Sequence, residues 1–288
     1  MGSSTRLKSL LAAGRFILAP GVFEMFSARI ADRMGFDALY MTGYGVSGSH
    51  LGVPDAGLVS YADMVDRARC IAEGISAPLI ADADTGFGGL LNSRHTVRGY
   101  EAAGVQAIQI EDQEMPKKCG HTPNRRVVPL ADAVRRIEVA VDARRHDDTL
   151  IVARTDARTG MGLDHAIERG RAFAKAGADV VFVEAPESAG EFERIGGEID
   201  AWLLANMVPS GRSPVVERAD LARWGFDIAI WPSVAMTAAC AAIESGLAHL
   251  KRQGSTTGSP VPSYSMAQLH ELAGFQDVWA FEKRFAES

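Results

Sequence analysis

Residues 111–121 read EDQEMPKKCGH. A structural cysteine is usually a small buried hydrophobe with no charged neighbours, whereas Cys119 follows two lysines and precedes a glycine and a histidine. Cations beside a thiol are expected to pull its pKa down. Two roles are open to it. As a nucleophile it needs a base and an oxyanion hole, giving acyl-enzyme chemistry. As a general acid it hands a proton to a carbanion-like product. His121 and Glu184 are candidates to share or relay that proton, although His121 taken alone reads equally well as a loop histidine bonded to a backbone carbonyl. Cys70 and Cys240, both in helical segments, read as core residues.

The carboxylates suggest an ion. In PLIADADTGFGG (78–89) Asp82 and Asp84 are two apart, so an extended backbone turns both to one side, and Glu111 ends the next apolar run. Three hard oxygen donors without histidine or cysteine suit Mg²⁺, with Mn²⁺ the alternative, keeping several waters. The plainer role for Asp84 is to cap the loop that follows. Arg154, in LIVARTD (150–156), would hold a substrate carboxylate in a bidentate fork beside such an ion. Metal and arginine together stabilise an enolate or aci-carboxylate, which favours the general-acid role for the thiol.

These residues sit at the ends of apolar runs. Strands are expected at 16–22, 37–43, 78–84, 107–112, 150–156, 180–186, 202–207 and 227–232, each aliphatic over four to six residues, as in parallel strands buried on both faces. Helices are expected at 24–34, 60–74, 93–103, 130–145, 163–176, 188–195, 215–223 and 233–252. RMGFDA, EAAGVQA, AKAGADV and RWGFDIA each place a glycine past a helix before the next strand. Strict alternation predicts a (β/α)8 barrel (TIM barrel), with a doubly wound sheet the alternative because sequence alone does not show closure. The chain reads as a single domain over 1–288, in which a polar linker at 252–263 leads to a helical extension over 264–288, with helices at 264–273 and 275–286, packed on the barrel or on a neighbouring subunit. A barrel carries its active site at the C-terminal ends of its strands. Those ends carry Thr42, Gly43 and Tyr44; Asp82 and Asp84; Glu111 and Asp112; Arg154 and Asp156; Glu184; and Asn206. Any one of them suits ordinary solvation or a helix cap; six successive ends point to a shared site.

GYGVSG (43–48) matches the dinucleotide-binding glycine pattern, but that motif must open a helix. SHLGVPDAGL follows it, with glycines and a proline where the helix should run, so these glycines are expected instead to let backbone N–H groups approach an anion. Net charge is −6 without long runs, which leaves no basic footprint for nucleic acid or anionic lipid. No apolar stretch nears the roughly 20 residues of a membrane span, and no signal peptide is read at the N-terminus. Three cysteines, odd in number and without CxxC spacing, fit the reducing cytoplasm.

KKCGH after a strand ending ED, with DADTGFGG before it and ARTDA after it, resembles the isocitrate lyase and phosphoenolpyruvate mutase superfamily over roughly residues 10–255. KKCGH is a signature of its carbon–carbon lyase branch, whose short-chain members include methylisocitrate lyase, 2,3-dimethylmalate lyase and oxaloacetate acetylhydrolase. The resemblance implies a (β/α)8 barrel with terminal helices swapped between neighbours, usually in a homotetramer. It implies Mg²⁺ held by Asp82, with Asp84, Glu111 and Asp55 acting through water, and a gating loop over 115–125 carrying Cys119 as acid. Substrate contacts would fall on Thr42, Gly43, Tyr44, Gly120, Arg154, Glu184 and Asn206, with Tyr44 the base or oxyanion partner for the substrate hydroxyl. The implied reaction is a retro-aldol-type cleavage of a small 2-hydroxydicarboxylate. NMVPSG (206–211) departs from the N-I-T-E-F-G of methylisocitrate lyases, and WPSVAMT (231–237) lacks the arginine that meets a third carboxylate. A substituted malate is therefore expected, with Ser210 and Ser233 touching its second carboxylate or alkyl group. Oxaloacetate hydrolysis, and a catalytically silent dicarboxylate-binding barrel, are the alternatives.

Overall fold

A computed structural model describes residues 6–286. Eight parallel strands close in sequence order: β1 Ile17–Val22, β2 Leu39–Met41, β3 Leu79–Asp82, β4 Ala107–Glu111, β5 Leu150–Thr155, β6 Val180–Val183, β7 Trp202–Asn206 and β8 Ile228–Trp231. Each lies inside an expected strand, and pairing of β1 with β8 through Ile17 and Ile228 seals the barrel and removes the doubly wound alternative. Helices α1 Leu7–Ala12, α2 Met25–Arg33, α3 Gly43–Val46, α4 Tyr61–Gly74, α5 Leu90–Ala102, α6 Leu130–Ala143, α7 Ala157–Met161, α8 Leu163–Lys175, α9 Ala189–Glu198 and α10 Arg218–Arg223 accompany the strands. After them come α11 Val234–Gln253, α12 Met266–Ala273 and α13 Phe275–Phe285.

Period-two alternation sorts the strand residues. Ile80, Ala107, Leu150, Val152, Val180, Phe182, Leu204, Ile228 and Ile230 form one buried cluster in the barrel, joined by Leu7 and Leu11 of α1. Their odd-even neighbours, among them Ala81, Ile108, Ile110, Ile151, Val181 and Leu203, pack under the helices. Continuing the inward parity along each strand reaches Thr42, Asp82, Glu111, Arg154, Glu184 and Asn206, all buried. The inside of the barrel thus passes from aliphatic to polar within one strand length.

Three helical elements differ from expectation. α1 was not foreseen; two buried leucines in six residues give little periodic signal, and its fixed point is tertiary, the Leu7 amide donating to Gln106 Oε1 at 2.9 Å. α7 is a single short turn. The third is a correction: the GYGVSG segment does open a helix, α3, which continues as a π-turn over Ser47–Leu51 and ends at Gly52, φ 67°. Its glycines are required by contact. A Cβ on Gly43 would stand 2.6 Å from Asp82 Oδ2, and one on Gly45 would stand 2.6 Å from the Phe23 Cβ.

The chain divides into two compact units at Val234/Ala235, about a helix earlier than the boundary expected at 264, so most of α11 groups with α12 and α13. In that C-terminal unit the α12 N-terminus is closed by a capping box between Ser265 and Gln268, and Gly274 in the left-handed region separates α12 from α13. α13 exposes Val278, Trp279, Phe281 and Phe285. No helix among the described residues is long and apolar enough to cross a membrane.

Candidate active site

The acidic end of β3 and β4 is built around a turn. β3 stops at Asp82, and Asp84 takes a left-handed backbone, φ 48°, while its amide donates to Asp82 Oδ1 at 3.0 Å. The two carboxylates therefore meet through this turn and not, as expected, by lying two apart on one strand face. Their convergence is real: the Cβ position of Gly43 is 2.6 Å from Asp82 Oδ2 and 3.6 Å from Asp84 Oδ1. Between the acids lies Lys117, buried, its Nζ paired with both Asp55 and Asp84 at 2.5 Å. Burial pushes the Asp84 carboxyl up to about 7 against the pull of Lys117, and burial likewise raises Glu111 against the pull of Arg154. Among the described residues, no three His, Cys, Asp or Glu side chains form a ready-made metal cage. The donor set still fits a hard ion that keeps waters, because such ions take one or two carboxylates directly and the rest through the hydration shell. Glu111 Oε1, moreover, is buried without a hydrogen-bond partner.

The segment after β4 folds back on itself. The Glu114 amide donates to the Arg126 carbonyl at 2.9 Å, and Gln113 bridges across with Val127 while its side chain clasps both the amide and the carbonyl of Lys118. Residues 113–127 thus form a closed flap. The Cys119 amide donates to the Asp55 carbonyl at 3.1 Å, and a Cβ on Gly57 would lie 3.2 Å from Met115 Cε, so the loop after α3 backs the flap on one side. On the other side the Arg212 amide donates to His121 Nδ1 at 3.3 Å. The flap's tip rests on the site floor: a Cβ on Gly120 would stand 2.5 Å from Arg154 Nη2 and 2.8 Å from Glu184 Cδ.

That floor is an ion network. Arg154 reaches Glu111 at 3.5 Å and Glu184 at 3.4 Å, and Asn206 Nδ2 donates to Glu184 Oε2 at 3.1 Å. The Arg154 fork itself is taken: Nε and Nη2 each donate to Asp156 at 2.9 Å. The expected free bidentate fork is already closed on an internal carboxylate, leaving electrostatic attraction and its remaining edge for a substrate. Asn206 Oδ1 and His121 Nε2 are buried without hydrogen-bond partners, His121 Nε2 lying 3.7 Å from Glu184 Oε1. Buried polar atoms left open in this way are candidates to meet a ligand.

The thiol's electrostatics reverse the sequence expectation. Burial pushes Cys119 up, further helped by Asp55 and Glu184, while the His121 backbone N–H and Arg154 pull it down less strongly. Lys117 does not lower it, because its charge is spent on Asp55 and Asp84. A thiol held protonated is suited to giving a proton. Burial also lowers His121, against Glu184, so its ring is neutral at physiological pH.

Most of the expected residues converge: Thr42, Gly43, Asp55, Asp82, Asp84, Glu111, Gly120, His121, Arg154, Glu184 and Asn206. Two stand apart. Tyr44, in α3, is 48% exposed, and Ser210 is exposed in a turn, φ 62°. Sequence reasoning overlooked Lys117 as a partner of the acids, and it overlooked Arg125, whose guanidinium bonds Asp156 and Thr159. Lys117 had a readable signal, an uncompensated cation in a segment following three carboxylates; Arg125 had none beyond lying near the cysteine.

Residues 7–251 match the family model described as phosphoenolpyruvate phosphomutase. The chain is 43% identical over 286 residues to the 2,3-dimethylmalate lyase of Eubacterium barkeri, covering 99% of both chains. A structure of oxaloacetate acetylhydrolase in complex with the inhibitor 3,3-difluorooxalacetate superposes with a TM-score of 0.93 at 34% identity, over 99% of this chain and 97% of the other. A phosphonopyruvate hydrolase complex with oxalate and Mg²⁺ superposes at 0.88 with 30% identity, over 98% of each.

Proposed function

Because this chain belongs to the phosphoenolpyruvate mutase/isocitrate lyase superfamily as one of its lyases, we propose that it cleaves a carbon–carbon bond of a 2-hydroxydicarboxylate, a 2-alkylmalate such as 2,3-dimethylmalate, to a 2-oxo acid and a carboxylate. The observation that carries this reading is the seating of Gly120 on Arg154 and Glu184, which brings the protonated Cys119 to the mouth where carboxylate-binding groups converge. Mg²⁺, or Mn²⁺ in its place, would be held by Asp82, with Asp84, Glu111 and Asp55 through water. When bound, it supplies positive charge that offsets the charge developing on the departing carboxylate fragment.

The chain's own residues do the rest. Thr42, Gly43 and Gly120 border the substrate carboxylate, and Arg154 attracts it. Glu184 and Asn206 orient the hydroxyl end, with the open Asn206 Oδ1 as acceptor. The Glu184 carboxylate takes the hydroxyl proton, with Tyr44, turned in from the rim, as the oxyanion partner of the hydroxyl oxygen. As that O–H breaks, C2=O forms, the C2–C3 bond breaks, and its electron pair passes into the carboxylate on C3. The resulting aci-carboxylate takes a proton at C3 from Cys119 Sγ, and the thiolate regains its proton from solvent once the product leaves, with neutral His121 as a hydrogen-bonding neighbour. The closed flap excludes water that would otherwise quench the carbanion.

A dicarboxylate is favoured over a tricarboxylate because WPSVAMT (231–237) offers no guanidinium for a third carboxylate. Incubation with 2,3-dimethylmalate, 2-methylisocitrate and oxaloacetate in Mg²⁺, reading 2-oxo acid and oxalate by NMR, tests the reading. Pyruvate from 2,3-dimethylmalate is expected; no product from any of the three rules the lyase out in favour of a silent binding barrel. Oxalate from oxaloacetate alone would install the second reading, favoured by the 0.93 superposition on oxaloacetate acetylhydrolase. We also infer a cytoplasmic homotetramer whose C-terminal helices are exchanged between neighbours, consistent with the exposed aromatic face of α13. Light scattering should then give four times 30.8 kDa.

A further inference from the structure

Arg125 closes the flap from its far end. It is buried, donates through Nη1 to Asp156 Oδ1 and through Nη2 to Thr159 Oγ1 at 2.6 Å, and lies four residues beyond His121. The same Oδ1 accepts from Arg154 Nη2 at 2.9 Å. The Asp156 amide donates to Asp112 Oδ1 at 2.9 Å, and its Oδ2 accepts from Arg154 Nε at 2.9 Å, so one carboxylate serves both arginines.

The charge count gives this sharing a consequence. Arg154 faces three carboxylates, Glu111, Asp156 and Glu184. Alone, its single positive charge is exceeded by two, and a further anion approaching it would meet net repulsion. With Arg125 on Asp156, the excess of negative charge around Arg154 falls from two to one, so an incoming anion meets less repulsion there. Arg125 belongs to the flap, whereas Arg154 and Asp156 belong to the floor. The extra charge therefore comes from the flap.

Building on the lyase reading above, we propose that Arg125 is a positioning residue: held by the flap, it offsets the charge of Asp156 and so strengthens the pull of Arg154 on the substrate carboxylate. It does not touch substrate; it acts through Asp156. A merely structural anchor would depend on its two-pronged geometry, whereas this role depends on its charge.

Calorimetric titration of the full chain with oxalate in the presence of Mg²⁺ separates the possibilities, using Arg125→Lys, Arg125→Gln and Thr159→Val. Lysine keeps the charge and loses the second prong; affinity should stay within about threefold of wild type. Glutamine keeps hydrogen bonding and loses the charge; affinity should drop at least about tenfold. Thr159→Val removes the second anchor only and should stay within about threefold. Glutamine binding as tightly as lysine, or Thr159→Val losing as much as glutamine, overturns the proposal and leaves the lyase reading standing. A wild-type protein that ignores oxalate with Mg²⁺ overturns both.

Discussion

A Cβ on Gly120 would stand 2.5 Å from Nη2 of Arg154, so the backbone of the flap and the guanidinium of the floor are in direct contact. Only a residue without a side chain lets them meet. Gly120→Ala is therefore expected to hold the flap off the floor by about an ångström, a displacement able to cost on the order of 100-fold in rate. Because Gly120 is buried against the Arg154–Glu184 floor, a fall in melting temperature should accompany the loss. Steady-state kinetics beside a melting curve check this; full activity in the alanine variant would mean that the observed closure is not the working one.

Cys119 gives a pH prediction with a definite sign. Burial raises the thiol, so it keeps its proton through neutrality and is lost as an acid only above the ordinary thiol range of about 8.5. Burial lowers His121, so its neutral form persists down through its ordinary value of about 6.5. At saturating Mg²⁺, Cys119 and His121 should add no slope to kcat between about pH 6.5 and 8.5, and the alkaline limb should be absent from Cys119→Ser, whose residual rate should be lower by about 100-fold or more. An alkaline limb centred near pH 7 would contradict a protonated thiol acid.

The barrel was legible because a parallel strand buried on both faces has to be aliphatic throughout, and the eight strands alternate with glycine-capped helices. Inward parity then made Asp82, Glu111, Arg154, Glu184 and Asn206 readable from their positions at strand ends. Turn chemistry was not legible. Asp84 reaches the acid cluster through a left-handed backbone that no strand periodicity encodes, and α3 forms on glycines selected by the closeness of Asp82 and Phe23. The thiol's environment was misread for a related reason. Lys117 adjoins Cys119 almost directly in sequence, but its partners are Asp55 and Asp84, each brought in from elsewhere in the chain. Proximity along the chain says little about which of two neighbours a buried charge will serve.

Lys117→Met should expose that arrangement. Removing one partner of a buried ion pair leaves uncompensated charge and costs about 3–5 kcal/mol. Here Asp55 and Asp84 both lose their cation, and a divalent ion is the natural replacement. Mg²⁺ should raise the melting temperature of the variant more than that of wild type, since binding to the folded state adds about 2.7 kcal/mol at 100 times Kd. Differential scanning fluorimetry across an Mg²⁺ series reads this out. Equal shifts in both proteins would separate Lys117 from the metal-binding acids.

Asn206 offers the sharpest test of how the floor holds its charge. Its Nδ2 donates to Glu184 Oε2 at 3.1 Å, while its Oδ1 has no partner. Asn206→Asp is nearly isosteric but sets a second carboxyl against Glu184 in a buried site, where like charges disfavour double ionisation and one proton is retained at raised pH. When protonated, the introduced carboxyl again donates to Glu184; when ionised, it repels it. A hydrogen bond to a charged group is worth about 1.5–3 kcal/mol, so kcat/KM should fall by about 10- to 100-fold at pH 8. Part of that loss should return at pH 6. Wild type, with no titrating group at this position, should not share the slope between those pH values, and a variant whose deficit is the same at both would show that donation to Glu184 is not what Asn206 contributes.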